Sequence, residues 1–130
     1  MANTKTQDVY DSFESTFQDK TEIPESLEFM WLKKAIGWYG NEISPLTFDS
    51  DLLEFDSAID QYIIDTLGYM MKVFYQERQV SKVNKIVKIV GKDISIDGQD
   101  GSKKYNESEL SQIESVVSDR LNKLKVTAYL

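Results

Sequence analysis

The 130-residue chain contains no cysteine and no histidine. No disulfide, thiol nucleophile or thiolate metal site is available to it. A Ser-His-Asp triad, an imidazole acid–base and a His-ligated zinc site are excluded as well. Carboxylate, lysine and tyrosine chemistry are what remain. Proline (2) and glycine (6) are scarce, which favours long regular elements, helices above all, over a loop-rich fold. Long apolar runs are missing too. The longest largely apolar stretch, residues 62–75, is broken by Asp65 and Lys72 and is too short and too polar to span a bilayer. Residues 1–14 mix polar and acidic side chains without an apolar core, so they do not read as a signal peptide. These absences predict a soluble, cytoplasmic, non-catalytic protein with no membrane contact and no cofactor.

What is present is the composition of one globular domain: 41% hydrophobic, 28% charged and 12% aromatic residues. The formal net charge is −7, whereas a free-standing nucleic-acid binder is usually basic. The charge is unevenly spread. Residues 1–69 hold 14 acids and 4 bases; residues 70–130 hold 8 acids and 11 bases. The basic excess sits in Lys72, Arg78, Lys82, Lys85, Lys88 and Lys92, opposed before Asp93 only by Glu77. Complementary fields of this kind steer association between copies. They equally fit two regions that meet within one monomer or are simply solvated.

Apolar spacing predicts a mainly α fold, a small bundle of about four helices. A first amphipathic helix over 4–20 carries Val9, Phe13 and Phe17, with Thr4 and Gln7 placed as a capping box and Asp8 in the first turn. A second over 24–41 opens on Pro24 and is apolar on most of its circumference, as a central helix would be. Gly37 offers a close helix crossing there, and Gly40-Asn41 a C-terminal cap. Leu46, Phe48, Leu52, Leu53 and Phe55 pin the following loop to the core, with Ser50 and Asp56 as competing N-caps. The longest helix covers 56–80. Residues 85–105 change pattern: β-branched residues to Val90, period-two alternation over 92–97, then Asp97-Gly98 and Asp100-Gly101. A β-hairpin or extended loop is expected there. A final helix over 106–125 presents Leu110, Ile113, Val117, Leu121 and Leu124 as a narrow stripe, and a short tail of β-forming and apolar residues covers 126–130.

The chemical motifs are weak. Residues 93–98 faintly match a calcium loop, but the position needing a bidentate Glu falls on Lys104. Asn106-Glu107-Ser108 fits a glycosylation sequon yet reads better as a helix cap. Gly98 and Gly101 lack the Lys-Ser/Thr of a phosphate loop. Glu22, Glu25 and Glu28 follow a helix start, where the dipole accounts for them. The basic run from Arg78 to Lys92 has two readings: a surface facing DNA or an acidic partner, or a lysine-protected edge strand.

The order of elements, with Trp38-Tyr39-Gly40-Asn41 closing one helix, Val73-Phe74-Tyr75-Gln76-Glu77-Arg78 closing the long one and residues 89–97 before the last, resembles the small head–tail connector proteins (adaptors, or head-completion proteins) of tailed phages and phage-derived elements. The resemblance spans roughly 22–125. It implies a structural, non-enzymatic subunit of a ring, usually a dodecamer, docked below a portal protein in the virion neck. Its partners would be the portal protein, a head-closure or tail-joining protein, copies of itself and DNA passing without specific binding. Carried onto this chain, Lys88, Lys92, Asp93, Ile94, Ser95 and Ile96 fall in a channel-facing loop. Val126, Thr127, Ala128, Tyr129 and Leu130 form a portal-docking tail, and Arg78, Lys82 and Lys85 supply charge to the subunit interface. Assembly would start from the host cytoplasm. Two other readings stand beside it: an acidic helical regulator or DNA mimic that inhibits a host protein, and another neck or tail-completion protein.

Overall fold

The structure is a computed structural model, and it describes residues 3–17, 23–90 and 97–128, with side chains over 3–17, 23–82 and 104–126. Four helices and one two-stranded antiparallel hairpin are present among them: α1 (Thr6–Glu14), α2 (Glu25–Glu42), β1 (Phe48–Asp49), β2 (Glu54–Phe55), α3 (Gln61–Val90) and α4 (Asp97–Ala128). The mainly helical architecture matches the expectation, including a small hairpin ahead of the last helix. The hairpin's position differs. It pairs Phe48 with Phe55 and Asp49 with Glu54, before α3, whereas the expected span is helical over 85–90 and 97–105 and residues 91–96 lie outside the described residues.

Where strand was expected, helix continues. α3 runs 30 residues to Val90 and α4 starts at Asp97 and runs 32, roughly 45 and 48 Å long. Val83, Ile86, Val87 and Val90 recur at three- and four-residue spacing as well as sitting in a β-branched run. Such a short run fits either period, so the alternation could not arbitrate. Asp97-Gly98 and Asp100-Gly101 form the first turns of α4, where an acid is favoured by the helix dipole.

The helix starts also shift. Thr4 is not a cap. Its hydroxyl accepts the Ile59 N–H at 2.7 Å, and its backbone bonds Ser57 and Phe55, tying residues 3–6 to β2. Asp8 instead accepts the Lys5 N–H at 2.9 Å, closing the N-terminus of α1 one residue later than expected. α3 is capped by Asp60, whose carboxylate accepts the Tyr62 N–H at 2.8 Å, and not by Ser50 or Asp56. Pro24 takes the N-cap position of α2, and that helix passes through Gly40-Asn41 to cap at Ile43.

α3, not α2, is the central helix: α1, α2 and α4 all pack on it. The buried core joins Val9, Phe13, Leu32, Ala35, Phe55, Leu67, Met70, Met71, Val117 and Leu121. Leu110, Ile113 and Leu124 pack against its edge, so the stripe on α4 is the one expected. Phe13, Phe17, Trp31 and Tyr75 meet edge-to-face with centroids 4.8–6.2 Å apart, binding α1, α2 and α3 together. The close helix crossing lies at Gly68 and not at Gly37. A Cβ on Gly68 would come within 2.9 Å of Ser12 Oγ and 3.1 Å of the Phe13 nitrogen, whereas nothing lies within 4 Å of one on Gly37.

Candidate interaction surfaces

Three surfaces and two buried polar sites could carry function. The first surface is the tip of the hairpin. Leu52 and Leu53, expected to pin the loop to the core, are instead 66% and 44% exposed. Asp49 Oδ1 accepts the Asp51 and Leu52 N–H groups at 2.9 and 3.1 Å, and the Leu53 carbonyl accepts the Thr6 N–H at 3.0 Å. Those bonds hold Leu53 at φ 56°, a left-handed conformation that costs a non-glycine residue roughly 1–2 kcal/mol. Asp49, Asp51 and Glu54 flank the two leucines. Phe48 and Phe55, by contrast, do pack inward, their rings 5.1 Å apart.

A second surface is a cleft of about 110 Å³ lined by Ile23, Pro24, Trp31, Tyr75, Arg78, Gln79 and Lys82. It brings together two of the three residues expected at a subunit interface. Arg78 and Lys82 are exposed, one helical turn apart, and neither is in a salt bridge among the described residues. Trp31 and Tyr75 belong to the aromatic cluster, so the floor is fixed by the core. Lys72 does not join this basic face. Its ammonium sits 3.5 Å above the Phe17 ring, and burial pulls its pKa down against the opposing pull of Glu109.

The third is a groove of about 900 Å³ between α2, α3 and α4. Trp38, Val73, Phe74 and Leu121 form its apolar walls, Gly37 leaves it open, and Glu42 and Lys125 join in a 2.7 Å ion pair beside it. Its rim is mixed in sign: Lys34 and Lys125 face Glu42, Glu77 and Glu114.

Of the buried polar sites, one centres on Thr66 of α3 and is reached by Arg120 of α4, itself half-buried. Arg120 donates from Nε to Thr66 Oγ1 at 2.8 Å and from Nη2 to the Tyr62 carbonyl at 2.9 Å, and stacks 3.9 Å from the Tyr62 ring. Charge-assisted bonds of this kind fix the register of α4 on α3. Gln76 lies on the same side of α3 by spacing, 7% exposed, and its Oε1 has no hydrogen-bond partner among the described residues. The other site is Glu28, which is not a solvated dipole partner as expected. It is 6% exposed and its carboxyl is pushed up to about 7, first by burial and then by Glu14 and Glu25. Tyr10 is raised to about 12 by burial, then by Glu28 and Glu25. Sequence spacing held the signal for Glu28, since it shares the 28, 32, 35, 39 stripe with Leu32, Ala35 and Tyr39. Glu28 lines none of the three surfaces, and no cluster of three potential metal ligands occurs among the described residues.

The remaining expected site residues fall as follows. Lys85 and Lys88 belong to α3, not to a strand or loop. Lys92, Asp93, Ile94, Ser95 and Ile96 lie outside the described residues. Val126, Thr127 and Ala128 continue α4, so they are helical and not an extended tail. Val126 is exposed, and Tyr129 and Leu130 lie outside the described residues. Val and Thr favour strands only weakly, and extending an existing helix needs no new nucleus. No helix among the described residues is long and apolar enough to cross a membrane. No known protein family, curated protein or solved structure matches the chain.

Proposed function

We propose that this chain is a structural, non-enzymatic assembly subunit: a head–tail connector of a phage or phage-like particle, forming a ring below the portal protein. The observation that carries the reading is the separation of two unlike surfaces on one molecule. The hairpin tip is acidic and apolar; the Trp31–Tyr75 cleft is basic and apolar. A head-to-tail ring needs two such unlike, complementary patches on each subunit. The net charge of −7 suits a ring that lets DNA through without gripping it. Portal protein on one side, a head-closure or tail-joining protein on the other and copies of the chain itself are the partners; no cofactor and no membrane take part. The place of action is the virion neck, reached from the host cytoplasm.

The test is an N-terminally tagged chain produced in its source strain during particle formation, with co-purifying proteins identified by mass spectrometry. Portal and tail-joining proteins are expected in the eluate, and a ring in images of the neck. A single host protein without particle components overturns the connector. It would favour an acidic inhibitor, for which the exposed acids Asp51, Asp56 and Asp60 around the hairpin and the start of α3 are the supporting observation.

A further inference from the structure

We propose that the Leu52–Leu53 tip of one copy docks into the Trp31–Tyr75 cleft of a second copy, with Asp49, Asp51 and Glu54 meeting Arg78 and Lys82. The pairing rests on the ring reading above in taking a second copy as the occupant, and it names the two faces that meet.

Among the described residues, nothing fills either half within one molecule. The tip exposes two adjacent leucines on a turn whose backbone is already fixed by Thr6 and Asp49, so little freedom is lost when they are buried. The cleft has an aromatic floor held by the core and two exposed cations at its rim. Among the described residues, no acid lines it. Its size suits a short aliphatic side chain and not a helix.

Charge selects the cleft over the larger groove. Three acids flank the leucines of the tip. The groove would set them against Glu42, Glu77 and Glu114, with Lys125 already paired to Glu42 and Lys34 the remaining cation of its lining. Like charges brought together at an interface cost affinity, while opposite ones speed encounter and set orientation. The cleft offers two cations and, among the described residues, no opposing acid.

Geometry forbids the contact within one chain. Leu53 borders Glu25, Ser26 and Phe29 on α2, whereas the cleft borders Pro24 and Trp31. Phe29 and Trp31 are two residues apart, so at 100° per residue they point about 200° apart around the helix. The tip therefore reaches the cleft only of another copy. Such a contact joins unlike surfaces and leaves one tip and one cleft free at the ends, so it propagates to a ring or a filament.

Two double variants test it by sedimentation at low and high salt. Leu52→Ser with Leu53→Asn removes the apolar tip at exposed positions, and Asn tolerates the left-handed backbone at 53. Arg78→Glu with Lys82→Glu reverses the rim. Helical circular dichroism of both should match the parent chain, and at concentrations where the parent is a single chain neither variant's thermal midpoint should fall below the parent's. The parent is expected to exceed the 15.0 kDa of one chain as concentration rises, and to fall back with added salt. Each double variant alone should associate roughly tenfold more weakly or worse. An equimolar mixture of the two retains one intact tip and one intact cleft, so it should stop at a dimer. A parent that stays at one chain's mass at every concentration overturns the pairing. So does undiminished association of both variants, which would leave a ring built through other faces. Co-purification with portal protein is a separate readout, and its loss counts against the connector and not against the pairing.

Discussion

Two stretches of α3, residues 61–76 and 77–82, share one continuous helix but not one environment. Over residues 61–76, Ile64, Thr66, Leu67, Met70, Met71, Val73 and Gln76 are buried by α1, α2 and α4. From Glu77 to Lys82 every residue is exposed or half-buried, and here Arg78 and Lys82 border the cleft. Helix propensity hardly distinguishes the two stretches. What differs is burial, so residues 61–76 supply the core and residues 77–82 are left to present side chains. A helix in a protein owes most of its stability to tertiary packing, and this one is unevenly supplied.

The largest break in that contrast should come from truncating a side chain in each stretch. Leu67→Ala is expected to cost about 2–5 kcal/mol, since Leu67 is fully buried, and Val80→Ala below about 1 kcal/mol, since Val80 is half-buried. Urea denaturation measures both, and equal losses would abolish the distinction. A sharper comparison uses two glycines within helices. Gly68→Ala forces a methyl against Ser12 and the Phe13 backbone and should destabilise by about 1–3 kcal/mol. Gly37→Ala meets open space and should stabilise by roughly 0.5–1 kcal/mol through the helix preference of alanine. Thermal midpoints moving the same way for both would refute the crossing at Gly68.

The smallest difference concerns Glu28, whose folded-state pKa of about 7 lies above the ordinary 4.5. The folded chain therefore holds that proton more tightly than the unfolded one. This contribution is fully present below about pH 4.5 and is lost as pH rises through 7. Glu28→Gln should be more stable than the parent at pH 8, with the gap closing as pH falls between those limits. A constant gap from pH 4.5 to 8, read from denaturation midpoints, would show that Glu28 ionises normally.

Much of the fold was legible where apolar spacing was long and regular. The stripe from Leu110 to Leu124 and the pattern of Val9 and Phe13 needed nothing but period. The span from 85 to 105 was not legible. A β-branched run and two Asp-Gly pairs are strong local signals, but helix continuation from both sides overrode them. Leu52 and Leu53 misled in the opposite sense: hydrophobicity alone assigned them to the core, and the turn that Asp49 and Thr6 fix turned them outward.

The site was legible in part. Charge counting singled out Arg78 and Lys82, and the fold does set them on one face. Trp31, Ile23 and Pro24 could not be paired with them from sequence, because they come from a different helix.

The sequence by itself settled a helical chain without thiol or imidazole chemistry, acidic in its first half and basic after Tyr69. Composition and periodicity are local properties, and they survive folding unchanged. Only the tertiary structure decided that α3 is the centre, that Glu28 is buried and that an apolar pair stands exposed opposite a basic cleft. Those depend on which surfaces meet, and contacts between residues far apart in the chain leave no period to read.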